Sequence, residues 1–299
     1  ESGLSKSIGV YGGISSFSSS DDLSTVLSKA DYALSVARSG LYGTVEQFLE
    51  DQDNAVLGKT EWKNLIEDAF TKSRFILTAQ PVLSDKGELH SEVFVNLVDE
   101  KGEHLLAGLF MPMVMANGLS SKLDKYVLEH SVRYLTKYPG QALSVNITAE
   151  FCRDRLALPW LRHFLTEHKH LHDTLFFEIH ENTFIRHPEI GIDFTGLITG
   201  LGFKFGIDQY TMSDASLNLL NRIKPAYIKI ERDYLEVFDD PEKADMVLNA
   251  LFTISDSLNI RLIATKIENE DQRNALAAKN INYFQGHGIS SVAPLKEFK

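Results

Sequence analysis

The sequence predicts an α/β barrel with parallel strands as the main part of this 299-residue chain. Runs typical of strands and runs typical of helices alternate over roughly 230 residues, which is the size of one (β/α)₈ barrel. Polar residues fall at or near the ends of several of these strands, where such barrels build their sites. An open, doubly wound sheet is the alternative that the same alternation permits.

The clearest βαβ unit lies in residues 202–231. An apolar residue at every second position from 203 to 207 predicts a strand that ends at Asp208. Leucine and isoleucine at helical spacing follow, and a second apolar run carries Lys229. This order would place Asp208 and Lys229 near one rim of a parallel barrel. Taken singly, Asp208 could equally cap a helix, and Lys229 could be a surface lysine.

The other elements are predicted from the same two periodicities. A small α/β piece at the N-terminal end is too short to bury a full core alone, and a polar, acidic segment that we interpret as a linker follows it. Further strands are predicted at residues 10–17, 44–48, 75–82, 89–98, 142–147, 175–179, 261–264 and 283–284. Further helices are predicted at residues 22–39, 62–71, 123–135, 156–168, 194–201, 244–258 and 271–278.

Composition limits the classes of function. The 30 Lys and Arg against 41 Asp and Glu give a net charge of −11, which opposes strong direct binding to nucleic acid or to anionic membranes. The single cysteine, Cys152, excludes a disulfide within the chain and is expected to be a structural thiol. No apolar run approaches the length of a membrane span. Because the chain starts at Glu1 without Met, we expect it to be a piece of a longer protein.

Four oxygen-bearing side chains fall at or near the ends of predicted strands. They are Glu92, Asn146, Glu178 and Asp208. Converging oxygen ligands suit Mg²⁺ or Mn²⁺, and two such ions with a nearby base could support phosphodiester hydrolysis. The alternative is four unrelated caps or loop hydrogen bonds, since ligands on separate strands have no fixed spacing. The histidines of residues 163–172 are interpreted as a solvated helix end rather than a metal site.

Three short segments carry a resemblance to a known family. They are residues 92–96 (EVFVN), 208–213 (DQYTMS) and 265–268 (TKIE), which stand where the family has EALxR, DDFGxG and EGVE. Residues 62–299 thus resemble an EAL domain, the barrel of cyclic di-GMP phosphodiesterases. Residues 1–49 resemble the C-terminal part of an α+β GGDEF domain without its signature turn, and residues 50–61 would be the linker.

The resemblance implies a site that is only partly retained. The positions that match the functional residues of the family are Glu92, Asn146, Glu178, Asp208, Lys229, Glu268 and Gln285. Asn96 stands in place of the Arg that would grip a ligand phosphate, Gln209 in place of the second Asp, and Thr265 in place of the Glu that supports a metal-bound water or acts as base. A neutral amide offers no charged fork, Gln holds a divalent ion poorly, and Thr is no base at neutral pH.

We therefore predict a catalytically inactive domain. It would have no catalytic residue, no metal ion and no cofactor, and the seven matching residues would be vestigial. Without the Arg, tight cyclic di-GMP binding is not expected. The replaced glycines of residues 208–213 also place the family's dimer-coupling loop in doubt, although the sequence remains compatible with a dimer.

A last segment, residues 109–119, is similar to CsrD/MshH-type regulators of gamma-proteobacteria, which are membrane-anchored and carry degenerate GGDEF and EAL domains. The general EAL pattern is the alternative reading of this segment. The resemblance implies the cytoplasmic portion of an inner-membrane regulator. Its EAL domain would bind unphosphorylated glucose-specific enzyme IIA of the phosphotransferase system. It would thereby promote decay, by the RNase E machinery, of small RNAs that sequester the carbon-storage regulator, which acts in the biofilm network. The rival hypotheses are a non-hydrolysing cyclic di-GMP receptor and, less favoured, an active phosphodiesterase.

Overall fold

The computed structural model describes residues 10–19, 22–39, 45–48, 57–211, 214–231 and 241–295. The chain divides into two compact units. The first comprises residues 1–76 and 95–120, and the second comprises residues 77–94 and 121–299. Most of the predicted linker, together with Met212 and Ser213 of the DQYTMS segment, lies outside the described residues.

The N-terminal part of the first unit is a helix packed on two short strands. Strand β1 (Gly12–Ile14) pairs in parallel with β2 (Val45–Gln47), and helix α1 (Leu23–Ser39) packs against both. Gly13 permits the close approach, because a Cβ there would lie 2.2 Å from the carbonyl oxygen of Ala30. The strand predicted at residues 10–17 is shorter than expected, because its partner β2 is only three residues long.

Helix α2 (Lys59–Thr71) begins three residues earlier than predicted, so residues 59–61 are helical. The Glu61 carboxylate reaches back to accept a hydrogen bond from the Gly58 backbone N–H at 2.8 Å, which fixes this start. Helix α3 (Ala107–Ala116) was not predicted. It is apolar on nearly every side and contains Pro112, so it shows no amphipathic period and carries a residue that disfavours helices.

The second unit contains a closed barrel of eight strands, which confirms the predicted fold class and excludes the open sheet. In order around the barrel the strands are β3 (Phe75–Ser84), β4 (Gly87–Val98), β6 (Leu143–Ile147), β7 (Leu175–His180), β8 (Lys204–Asp208), β9 (Tyr227–Glu231), β10 (Arg261–Thr265) and β11 (Tyr283–Phe284). The strands from β4 to β11 run in parallel. Strand β3 pairs antiparallel with β11, because the tight turn between β3 and β4 reverses the chain.

Two further short strands pair with this sheet. Strand β5 (His104–Leu105) pairs antiparallel with the end of β4, and β12 (Ala293–Pro294) pairs antiparallel with β3. The helices of the second unit follow the strands. They are α4 (Ser120–Lys137), α5 (Ala149–Arg153), α6 (Ala157–Glu167), α7 (Glu181–Arg186), α8 (Pro188–Gly200), α9 (Asp214–Ile223), α10 (Pro241–Leu258) and α11 (Glu270–Ala277).

Helix α8 starts six residues earlier than predicted, with Pro188 in its first turn, where a missing N–H costs nothing. Helices α5 and α7 were not predicted, because each is too short to show a helical period. Cys152 on α5 is buried, as expected, and burial raises the pKa of its thiol well above the usual range. Among the described residues, no helix combines the length and the apolar character needed to cross a membrane.

Candidate functional site

Parallel strands bring most of the predicted site residues to one end of the barrel. Asn146 lies in register with Glu178, and Glu178 with Gly206. Asp208 and Thr265 are the last residues of β8 and β10. This end is the carboxyl end of the parallel strands, as the sequence predicted.

Lys229 joins two carboxylates from distant strands inside the barrel. Its Nζ donates to Glu92 Oε2 at 2.5 Å and to Glu178 Oε2 at 2.6 Å, and its side chain is 1 % exposed. Although burial alone would raise the pKa of Glu178, the Lys229 ammonium holds it well below its usual range. Burial would lower the pKa of Lys229, but the carboxylates of Glu178, Glu92 and Asp208 raise it above its usual range. Glu178 and Lys229 are therefore both charged, and each stabilises the charge of the other.

Side-chain donors occupy the remaining oxygens of these two carboxylates. Tyr227 OH donates to Glu178 Oε1 at 2.9 Å, Asn146 Nδ2 to Glu92 Oε1 at 2.6 Å, and Gln285 Nε2 to Glu92 Oε2 at 2.9 Å. Every oxygen of Glu92 and Glu178 thus accepts at least one hydrogen bond. Five of these six residues are buried and Asn146 is exposed. We call the six residues the buried cluster: Glu92, Asn146, Glu178, Tyr227, Lys229 and Gln285.

Tyr227 was missed by the sequence analysis, because an aromatic residue inside an apolar strand reads as core. Its place in the cluster depends on Gly206 of the neighbouring strand. A Cβ at position 206 would lie 2.0 Å from Cε2 of the Tyr227 ring. The glycine therefore makes room for the ring that reaches Glu178.

His90 is a second residue that the sequence analysis missed. It is fully buried between the rings of Phe176 and Tyr227, at centroid distances of 5.3 and 4.8 Å. Its Nε2 lies 3.5 Å from Glu178 Oε1 without forming an aligned hydrogen bond. Burial lowers the pKa of His90, so the ring is neutral near pH 7. The available signal was its position two residues before Glu92, on the same face of the strand.

A cavity of about 350 Å³ opens above the buried cluster. Its walls include Glu92, Asp208, Glu268 and Gln285 from the predicted set. Burial raises the pKa of Asp208 to about 7; Lys229 opposes this shift, and Glu92 and Glu178 add to it. The cavity therefore has an acidic wall above an internal lysine.

The wall of the cavity contains two residues that depart from the family pattern, Thr265 and Lys266. Thr265 lines the cavity, and its hydroxyl donates to the Ile230 carbonyl at 3.4 Å. Lys266 also lines the cavity, and its Nζ contacts Glu231 Oε2 at 2.7 Å. Lys266 has a φ of +60°, the left-handed region that favours glycine, which the family motif carries at this position. Glu231 was not singled out by the sequence analysis, although it lies two residues after Lys229 in β9.

Gln209 does not line the cavity. Its Oε1 accepts a hydrogen bond from Nε2 of His180 at 2.7 Å, and its φ is +53°. His180 follows Glu178 by two residues in β7 and was also missed. We call the five residues His180, Gln209, Glu231, Thr265 and Lys266 the rim. Asn96 lies farther along β4 than Glu92, in the first unit, and is partly buried.

The residues present do not fit a divalent cation in this arrangement. A metal ion at Glu92 and Glu178 would have to displace Lys229, whose Nζ contacts Oε2 of both carboxylates. Within the described residues, no group of three or more His, Cys, Asp and Glu side chains is placed to hold a metal ion. The absence of a bound metal ion or cofactor stays a prediction.

A family model, curated relatives and solved structures all match this chain to the same family. A family model described as EAL domain matches residues 63–291. The cyclic di-GMP phosphodiesterase PdeF of Escherichia coli K12 is 23 % identical over 245 residues, which are 79 % of this chain and 32 % of that protein. The RNase E specificity factor CsrD of the same strain is 20 % identical over 289 residues, which are 96 % of this chain and 44 % of that protein. The chain thus spans less than half of the length of these relatives.

Among solved structures, the S helix-GGDEF-EAL portion of Vibrio cholerae LapD, bound to c-di-GMP, superposes with a TM-score of 0.82 at 28 % identity. The match covers 92 % of this chain and 68 % of that chain. Because it extends beyond residues 63–291, it supports the predicted GGDEF–EAL arrangement. The domain boundaries at residues 49 and 61 stay predictions.

Proposed function

This chain belongs to the EAL domain family, and from that premise we propose that it is a non-hydrolysing member that acts by binding a protein partner. One observation carries the proposal: the rim holds neutral side chains, Gln209 and Thr265, where the family motifs place acids. Gln209 bonds to His180, and Thr265 donates to a backbone carbonyl, so neither is a base or an anionic ligand at the cavity.

The loss of these groups acts on the chemical step. Phosphodiester hydrolysis needs an activated water and stabilisation of charge on the phosphate. Thr265 supplies no base, Gln209 supplies no anionic ligand, and Asn96 supplies no guanidinium. Because removing one such group already lowers a rate by about two or more orders of magnitude, losing all three leaves no useful turnover.

We propose unphosphorylated glucose-specific enzyme IIA of the phosphotransferase system as the partner. Similarity to CsrD over 96 % of this chain supports the choice, although more than half of that protein has no counterpart here. Binding would promote RNase E-dependent turnover of small regulatory RNAs and so link carbon status to carbon storage and biofilm formation. In the same proposal, the chain is the cytoplasmic portion of a protein anchored in the inner membrane.

Hydrolysis is tested by incubating the chain with cyclic di-GMP and Mn²⁺ or Mg²⁺ and separating the products by chromatography. We expect no linear dinucleotide above the no-enzyme control. A triple variant, N96R/Q209D/T265E, is the informative comparison, because it returns the three charged groups to one scaffold. Turnover by the unmodified chain at rates ordinary for enzymes, about 1 s⁻¹ or faster, would overturn the proposal.

Partner binding is tested by calorimetric titration with enzyme IIA in its two phosphorylation states. We expect the unphosphorylated form to bind at least about tenfold more tightly, a difference of about 1.4 kcal/mol. No heat with either form would remove the named partner and would leave the claim of inactivity untouched.

A non-hydrolysing cyclic di-GMP receptor is the second candidate. The cavity of about 350 Å³ and the c-di-GMP bound to the LapD relative favour it. Calorimetry with cyclic di-GMP at micromolar protein separates the two candidates: saturable heat supports the receptor, and its absence supports a protein adaptor.

A further inference from the structure

The hydrogen bond between His180 and Gln209 determines where the Gln209 side chain points. His180 is the last residue of β7, and Gln209 is the first residue after β8, so the bond joins two neighbouring strand ends. At 2.7 Å between His180 Nε2 and Gln209 Oε1, it is a short, well-formed contact. The Gln209 amide is thereby held at β7 and away from the cavity.

The tautomer of His180 is fixed by its other nitrogen. Nδ1 accepts a hydrogen bond from the Asn182 backbone N–H at 3.0 Å, because His180 caps helix α7. A neutral imidazole that accepts at Nδ1 carries its proton on Nε2. Nε2 is therefore a donor aimed at residue 209, and it would bind a carboxylate there as readily as it binds the amide.

A neighbouring contact holds the same loop from the other side. Glu181 accepts hydrogen bonds from the Thr211 backbone N–H at 3.1 Å and from its hydroxyl at 2.6 Å. Residues 209 and 211 are thus both tied to the start of α7. The backbone at Gln209 also has a φ of +53°, a conformation in which Asp is more at ease than Gln.

We propose that His180 excludes a cation from the rim by holding the side chain at position 209 against β7. Lys229 meanwhile bridges Glu92 and Glu178 below the cavity. The inference deepens the proposed loss of hydrolysis, on which it rests, by naming the pair that keeps divalent cations out. It makes His180 a positioning residue, since it acts through residue 209.

A specific pattern of variants follows from this geometry. Q209D alone restores a carboxylate, but His180 still holds this carboxylate by a hydrogen bond, so little cation affinity should return. H180T alone frees position 209 but leaves a neutral amide. Only H180T/Q209D both removes the imidazole at position 180 and supplies a carboxylate at position 209. A role of His180 in stability alone would not produce this dependence on residue 209.

The experiment measures the melting temperature of the full chain with and without 5 mM Mn²⁺ for the wild type and these three variants. We expect a shift below about 1 °C for the wild type and both single variants, and about 3 °C or more for H180T/Q209D. The control is H163T/Q141D, which makes the same changes at exposed positions away from the cavity. Equal shifts for H180T/Q209D and Q209D would overturn the inference.

A second measurement uses the wild type, so the test does not depend on folding of the double variant. Mn²⁺ titration followed by electron paramagnetic resonance should show no saturable site below about millimolar concentration, while metal binding at the cavity of the wild type would overturn the inference. The hydrolysis assay remains separate: if the wild type cleaves cyclic di-GMP, the proposed function fails, whereas unequal Mn²⁺ shifts address only the pair.

Discussion

The buried cluster and the rim lie at the same end of one barrel but differ in how their charges are held. In the cluster, Lys229 donates to Glu92 at 2.5 Å and to Glu178 at 2.6 Å, and every oxygen of these two carboxylates accepts a hydrogen bond. At the rim, Lys266 and Glu231 form a pair in which the Lys266 side chain is 52 % exposed. Five of the six cluster residues match functional positions of the family, and three of the five rim residues replace motif residues.

This difference separates residues kept for the fold from residues needed for chemistry. Removing Lys229 leaves its two carboxylate partners buried without a cation, which is strongly destabilising. Replacing an exposed rim residue leaves its neighbours hydrated and costs little. A chain without hydrolytic activity can therefore keep Lys229, Glu92 and Glu178 for stability alone. Their presence in the sequence is weak support for catalysis.

The largest loss of stability is expected for Lys229→Met. The substitution leaves Glu92 and Glu178 facing each other without a cation, so the free energy of unfolding should fall by about 3 to 5 kcal/mol. Urea unfolding at pH 7 measures the loss. The control is Lys204→Met, which removes a lysine paired with Asp173 on the exposed surface and should cost less than about 1 kcal/mol. Similar losses for both variants would contradict the comparison.

Asp124 is a buried carboxylate outside the cluster, and its dependence on pH can be compared with the cluster's dependence on Lys229. Asp124 accepts hydrogen bonds from the Thr148 N–H and hydroxyl, at 3.0 and 2.6 Å, and burial raises its pKa to about 7. Since the folded pKa exceeds the unfolded value of about 3.9, its contribution to stability is full below pH 4 and is lost as the pH rises through 7.

The expected loss between pH 4 and pH 8 is up to about 4 kcal/mol. Asp124→Asn should remove this component, because the amide is neutral and its oxygen still accepts from Thr148. Urea unfolding across the pH range measures both proteins. Parallel curves for the wild type and the variant would show that Asp124 titrates normally in the fold.

A smaller effect is expected from Tyr227→Phe, which removes one donor of the buried cluster and leaves its charges in place. Glu178 Oε1 loses its 2.9 Å hydrogen bond, so the free energy of unfolding should fall by about 1 to 3 kcal/mol. Tyr283→Phe, at a partly buried tyrosine outside the cluster, is the matched control. A loss as large as that of Lys229→Met would mean that the hydroxyl, not the lysine, organises the cluster.

The smallest effect is expected at the rim. Lys266→Gly relieves a side chain from a φ of +60° and removes the contact with Glu231, two small contributions of opposite sign. The net change in the free energy of unfolding should be below about 1 kcal/mol. A loss above about 2 kcal/mol would show that the rim, like the cluster, is needed for the fold.

Elements were predicted best where the sequence has a clear strand or helix periodicity, and site residues were predicted best where they lie at the ends of such strands. The barrel was predicted because few architectures accommodate alternating strands and helices over one domain. Asp208 and Lys229 were predicted to lie near the same end of the barrel for the same reason. Helix α3 was missed, because its apolar surface and Pro112 hide the helical period. Tyr227, His90 and His180 were also missed, because neither burial nor cross-strand contact is visible in a single sequence.

Periodicity and residue identity are local properties, so the architecture and the replacement of acidic motif residues by Gln209 and Thr265 can be predicted from the sequence alone. That Lys229 bridges two carboxylates and that Gln209 bonds to His180 is visible only in the folded chain. These contacts join residues 29 to 137 positions apart, on strands that only barrel closure brings together. Distances across strands depend on register and packing, which no spacing along the chain specifies.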